Sequence, residues 1–253
     1  MRRSRPLRAI IFDAGNTLVR MNYGAIAEQL RARGHRVSFA AVEEAELRAR
    51  VRLDVHLGPG ARTDSGTMER ASTESRTTHG RYLRYILERL GITGEPEIEE
   101  IARWRRGYNL PVGLWNVADP GAEAALRRVK GAGLVAGVIS NSNGSVRSIL
   151  EATGLAAHLD FIIDSAVVGV EKPDPRIFRI ALAEAGVAPD EAVYVGDLYS
   201  VDVLGARSAE MAAVLLDPRG FWGERDCPLA PDLAAAVRLG LDARRPAGRT
   251  SGL

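Results

Sequence analysis

The residues able to do chemistry in this chain stand at a few places, most of them just after a short apolar run. Asp13 closes the run Leu7 to Phe12. Ser140 and Asn141 follow Leu134 to Ile139. Lys172 and Pro173 stand just ahead of a helical pattern. Gly196 and Asp197 follow Ala192 to Val195, and Asp202 comes five residues later. A carboxylate can act as a nucleophile, and several carboxylates together can hold a cation. A hydroxyl and a lysine suit the oxygens of an anion. Each residue also has an ordinary structural use. Asp13 fits a turn or N-cap, Ser140 and Asn141 could cap the next helix, and Lys172 could be solvated. Asp197 could sit in a loop, and Asp202 suits a first helical turn. Their common place beyond strand ends is what sets them apart, because sites in open α/β sheets lie at the carboxyl ends of the strands.

The elements that must position them follow from the pattern. The apolar runs are of strand length, and Asp13 to Thr17 is turn chemistry. From about Tyr23 to Tyr108 the character is helical. Ser38 is an N-cap for a helix running to about Leu53, and further helices are expected from His79 to Leu90 and from Pro96 to Arg106. Gly58 to Ser75 is rich in Gly, Ser and Thr and reads as a loop. After about Val112 helix and strand alternate. Helices are expected from Pro120 to Lys130, Ser145 to Thr153, Pro175 to Ala185 and Val201 to Ala209. Strands are expected at 134–139, 161–163, 192–195 and 212–216. Alternation of this kind implies right-handed βαβ crossovers and a buried, doubly wound parallel sheet. The first strand would join that sheet, with the all-helical stretch inserted after it. The expected division is residues 1–20 and 113–253 as an α/β unit and 21–112 as a helical one, with disordered tails expected at about 1–6 and 241–253.

Composition removes several classes of function. The chain has 253 residues, 46% hydrophobic and 26% charged, which are globular proportions. Its net charge of +2 comes from the ends: residues 9–237 hold 26 basic and 31 acidic side chains. The body therefore offers no nucleic-acid groove. One cysteine, Cys227, excludes an internal disulfide and a cysteine metal cluster. No run approaches the roughly 20 apolar residues of a membrane helix, and Ala9 to Phe12 is too short for a signal-peptide core. A cytoplasmic protein with no membrane or nucleic-acid partner is expected, as a monomer or homodimer. Trp104 or Trp222, if exposed, would mark an interface.

With these residues in view, the chain resembles the haloacid dehalogenase-like (HAD) hydrolase superfamily. IIFDAGNTL is similar to its first motif, ISN to the second, EKPDP to the third and YVGDLYSVD to the fourth. The resemblance implies a Rossmann-like α/β core with an α-helical cap of the C1 type. It implies a hydrolase, foremost a phosphatase acting on a small phosphorylated metabolite. Asp13 would form an aspartyl-phosphate. The Ser140 hydroxyl and the Asn141 backbone N–H would hold phosphoryl oxygens, with Ala14 and Gly15 completing the phosphate site. Lys172 would neutralise charge on Asp13 and the phosphate. Mg²⁺ would be held by Asp13, the Gly15 carbonyl, Asp197 and Asp202.

One position departs from the pattern. Phosphatases of the superfamily carry a second aspartate two residues after the nucleophile, as acid and base; here it is Gly15. A general acid contributes roughly 10²–10⁴ in rate. Three ways round its loss stand open: a leaving group that needs no proton, such as an acyl phosphate; a donor from the cap, where His35, His56 and His79 lie; or a different reaction. Phosphonate-cleaving relatives use a cap lysine, and residues 21–112 contain none. Haloacid dehalogenases place an aromatic residue at the Gly15 position and lack the Gly-Asp acidic pair. A phosphate-binding or regulatory protein with little catalysis is the alternative from another class. Cap arginines Arg62, Arg105 and Arg106 are candidates for contacting an anionic substrate, though each also fits a solvated helix face.

Overall fold

A computed structural model describes residues 5–58, 72–110 and 112–242. The parts of the expected tails at 1–4 and 243–253, and Arg62 with most of the expected 58–75 loop, lie outside the described residues.

Strand β1 (Ala9–Phe12) is apolar throughout because it is the middle of the sheet, covered on both faces. It pairs in parallel with β4 (Val135–Ser140) on one side and β6 (Ala192–Gly196) on the other. β5 (Phe161–Asp164) extends one flank, and β7 (Ala212–Leu216) and β8 (Leu229–Ala230) the other. The six-stranded order is β5-β4-β1-β6-β7-β8. Alternate residues of β1 face opposite sides. Ile10 and Phe12 pack in one cluster with α5 (Ala122–Gly131), α6 (Val146–Ala152) and α10 (Leu233–Asp242). Ala9 and Ile11 pack in the other with α8 (Pro175–Ala185) and α9 (Leu204–Ser208). A short helix, α7 (Ser165–Val168), follows β5. The chain thus has the doubly wound α/β core expected from its alternation.

The helical lobe is α1 (Tyr23–Ala32), α2 (Phe39–Asp54), α3 (Arg76–Arg89) and α4 (Glu95–Gly107). Apolar residues three and four apart, such as Ile26 and Leu30 or Val42, Ala45 and Ala49, close a core of its own. Caps fix the helix starts: Asn22, Ser38 and Ser75 each accept a hydrogen bond from the backbone N–H three residues on. Both connections to the sheet pass through a small antiparallel pair, β2 (Val19–Arg20) with β3 (Val117–Ala118). Arg20 Nε donates to Asp119 at 2.6 Å beside it.

Two expectations need correction. The stretch 201–209 is not one helix. A wide π turn covers Tyr199–Val203 before α9 begins. Its Asp202 carboxylate reaches back to accept from the N–H groups of Asp197 (3.0 Å) and Leu198 (2.9 Å). The expected tail at 241–253 also begins too early, because α10 includes Leu241 and Asp242. Beyond Leu216 the structure adds β8 and α10, and Trp222 lies in the core at 3% exposure, so it marks no surface. Among the described residues no helix is long and apolar enough to cross a membrane.

Candidate active site

The rim of the sheet and the helical lobe enclose a cavity of about 790 Å³. That falls within the usual range for small-molecule sites, roughly 300–1,000 Å³. Asp13, Ala14, Gly15, Ser140, Asn141, Lys172, Asp197 and Asp202 all line it. Parallel strands end at the same level, so β1 delivers Asp13, β4 delivers Ser140 and β6 delivers Asp197 to one edge.

Lys172 is the hub on the core side. Its buried ammonium donates to Asp13 Oδ1 at 2.5 Å, Asp202 Oδ1 at 2.7 Å and the Tyr194 hydroxyl at 2.9 Å. Burial alone would lower its pKa; Asp13 and Asp202 outweigh that and hold it well above the ordinary lysine value. The Asp13 carboxyl is pushed up to about 6 by burial, against the pull of Lys172. Burial also raises Asp197, against the pull of Arg50. Gly196 is required here, since a Cβ would overlap the Asp202 carboxyl.

Asn141 uses its side chain as a strut. Its amide donates to the Lys172 carbonyl at 2.9 Å and to Thr73 Oγ1 at 2.8 Å, and its Oδ1 accepts from the Lys172 N–H at 2.7 Å. Any contact of Asn141 with an anion therefore falls to its backbone. Ser140 Oγ donates only weakly, to the Asn141 carbonyl at 3.3 Å.

The helical lobe contributes residues that the motifs do not contain. Arg50, on α2, makes a bidentate pair with Glu46 (2.8 and 2.6 Å) and reaches Asp197 Oδ2 at 3.1 Å. Glu46 also accepts from the hydroxyls of Tyr23 (2.7 Å) and Tyr82. One turn further along α2, Asp54 accepts from the Ser200 N–H at 2.8 Å and hydroxyl at 2.7 Å. Helix α2 is thereby fastened to the loop that carries Asp197 and Asp202. At the departure from the motif, a Cβ on Gly15 would lie 3.4 Å from Trp115 Nε1, so an aromatic edge from the β3 connection borders that space. Of the three histidines, only His79 lines the cavity, with Glu74 at 3.7 Å. His35 pairs with Glu97 and His56 with Tyr85, both away from it. Arg105 and Arg106 line the cavity as well.

One carboxylate oxygen from each of Asp13, Asp197 and Asp202 lies within 4.8 Å of the others. An all-oxygen set of this kind suits a hard cation such as Mg²⁺. The upward shift that burial gives Asp13 and Asp197 would be offset by a divalent charge between them, so the residues fit the ion.

The haloacid dehalogenase-like hydrolase family matches residues 7–210 of the chain. The protein belongs to that family. The human haloacid dehalogenase-like hydrolase domain-containing protein 3 is 31% identical, over 83% of this chain and 82% of its own. A phosphoserine phosphatase from Thermus thermophilus is 41% identical over 60% of this chain and 59% of its own. Among solved structures, a 2-haloacid dehalogenase from Pseudomonas syringae superposes with a TM-score of 0.54 at 24% identity, covering 94% of this chain and 99% of that one. The hydrolase shares its fold with that dehalogenase, and its local chemistry has to supply the rest.

Proposed function

We propose that this hydrolase is a Mg²⁺-dependent phosphatase working through an aspartyl-phosphate on Asp13. One observation carries the reading: a buried aspartate at a strand end, 2.5 Å from a lysine, with two further buried aspartates beside it. The phosphatase relative supports the same reading, and a dehalogenase has no use for the acidic pair.

Asp13, Asp197, Asp202 and the Gly15 carbonyl would hold the ion, which when bound supplies charge neutralisation for the transferring phosphoryl group. An Asp13 carboxylate oxygen attacks phosphorus; the new O–P bond forms as the bond to the leaving oxygen breaks, and that oxygen takes up a proton. Water then attacks the phosphorus of the aspartyl-phosphate, releasing inorganic phosphate and restoring the carboxylate. Lys172 offsets the charge gathered between Asp13 and the phosphoryl oxygens, which receive donors from Ser140 and the Asn141 backbone. The helical lobe acts as the cap over the cavity. With glycine at position 15, the proton for the leaving oxygen comes from His79, the cap histidine that lines the cavity.

The test is hydrolysis of p-nitrophenyl phosphate and acetyl phosphate with and without Mg²⁺. Turnover is expected only with the ion, and Asp13→Asn is expected to lower it by roughly 10³-fold or more. His79→Gln should slow alkyl phosphates more than acetyl phosphate, whose leaving group needs no proton. Wild-type protein that stays inert on both compounds with Mg²⁺ would overturn the reading in favour of phosphate binding alone.

A further inference from the structure

Arg105 occupies an unusual position on the cap wall. It lies in the last turn of α4, where a cation complements the helix dipole. That accounts for exposed Arg106 beside it, but not for Arg105, which is partly withdrawn from solvent against the cavity. Its guanidinium has five N–H donors in a fixed fork. One, on Nη1, donates to the His79 carbonyl at 2.9 Å. Among the described residues no carboxylate comes within ion-pairing distance of it. Glu74, the acid on the same wall, faces His79 instead. Desolvation holds its pKa below the ordinary arginine value, against the weaker pull of Tyr82 and Glu74. A partly buried guanidinium with most of its donors unpaired among the described residues is costly to leave without an anion.

The missing partner belongs in the cavity. The Arg105 guanidinium carbon lies 5.8 Å from the centre of the Trp115 ring, and the Trp115 edge borders Gly15 beside the nucleophile. Arg105 therefore stands one aromatic ring away from the phosphoryl site. Arg76 and Arg106 line the same cavity. We infer that Arg105 is a specificity-determining residue that binds a second anionic group of the substrate, a carboxylate or a second phosphoryl group, across a short bridge from the phosphoryl group cleaved at Asp13. The inference rests on the phosphatase reading for which group is cleaved. The binding itself requires only the cavity. A planar fork suits either anion through two parallel hydrogen bonds, which a neutral alkyl or aryl end cannot accept.

The experiment has a binding arm and a turnover arm, both with Mg²⁺. Calorimetry compares propylphosphonate, 3-phosphonopropionate and propane-1,3-diphosphonate, none of which can be hydrolysed at phosphorus by this route. Kinetics compares propyl phosphate with the phosphate ester of 3-hydroxypropionate. Wild type should bind one of the doubly anionic phosphonates at least roughly tenfold more tightly than propylphosphonate. The better of the two identifies the anion as carboxylate or phosphoryl. Arg105→Met should reduce that preference to about twofold or less, and Arg105→Lys, which keeps the charge without the fork, should fall between. kcat/KM should show the same ranking. Equal affinity for all three phosphonates in wild type, or a preference that survives in Arg105→Met, overturns the inference. Preferential binding that Arg105→Met abolishes, with no turnover of any ester, leaves this inference standing and removes the phosphatase reading instead.

Discussion

Two buried cations divide the three site aspartates between them, one from the α/β core and one from the helical lobe. Lys172 finds Asp13, Asp202 and Tyr194 all within the α/β core. Arg50 finds a bidentate partner in Glu46 on its own helix and crosses to the core only for Asp197, at 3.1 Å. The core cation thus depends on the site for every strong contact it makes. The lobe cation has a partner at home and can release Asp197 without becoming an unpaired buried charge. The first arrangement is a fixed part of the site, and the second is a joint between two bodies.

The largest consequence of that contrast concerns Lys172. Replacing it with Met leaves Asp13 and Asp202 facing each other without a counter-charge. Removing one partner from a buried pair costs about 3–5 kcal/mol. Urea unfolding in EDTA should show a loss of that order, and phosphatase turnover should vanish. Mg²⁺ should restore part of the stability, because the ion supplies charge to the same carboxylates. A variant as stable as wild type in EDTA would mean that Lys172 is not a fixed part of the site.

The difference between the two cations also marks where sequence reading stops. Asp13, Ser140 and Asp197 could be read because each sits at the end of an apolar strand, and parallel strands bring their ends together; Lys172, just ahead of a helix, and Asp202, five residues past Asp197, joined them through their place in the same order of motifs. Arg50 could not. Helix α2 carries two Glu–Arg pairs with the same four-residue spacing, Glu44 with Arg48 and Glu46 with Arg50. The first is about half exposed, and the second is almost wholly buried. Composition and spacing are identical, so only packing against Tyr23, Tyr82 and the Asp197 loop separates them. Tyr194 is hidden for a related reason: within the run AVYVG it reads as one more strand residue, although its hydroxyl meets Lys172. The π turn at 199–203 escaped because the run YSVDV carries no residue pattern that separates it from an ordinary first helical turn.

A second fastening of α2 sharpens the comparison through pH. Asp54 accepts two hydrogen bonds from Ser200, yet burial still pushes its pKa up to about 6 from 3.8. The folded state therefore binds this proton more tightly than the unfolded chain. Its stabilising contribution is full below about pH 4 and is lost as pH rises through 6. A shift of this size corresponds to at most about 3 kcal/mol. Asp13 shifts in the same direction, so wild type alone cannot assign the effect. The difference between wild type and Asp54→Asn, from urea midpoints in EDTA at pH 4, 5, 6 and 7, isolates it. The gap in stability should change across that window in favour of the variant at higher pH. Parallel curves would show that Asp54 is solvated and that the lobe is not firmly seated on the Ser200 loop.

The smallest expected effect bears most directly on the joint. Arg50 and Mg²⁺ are both cations directed at Asp197, so each should weaken the other's hold. Arg50→Met keeps much of the apolar stem while removing the charge. Calorimetric titration should then show Mg²⁺ binding tightened by roughly tenfold, a typical coupling between two sites. Glu46 would be left buried with only tyrosine hydroxyls as partners, which could loosen the lobe for an unrelated reason. The double variant Glu46→Gln, Arg50→Met removes that ambiguity, because neither charge remains, and it should tighten Mg²⁺ by a similar factor. Coupling of this kind is reciprocal. In wild type, Mg²⁺ should therefore weaken the contact between α2 and the Asp197 loop by the same free energy that Arg50 costs the ion. Weaker Mg²⁺ binding in both variants would reverse the assignment: Arg50 would then hold Asp197 in place for the ion, and the two cations would be alike after all.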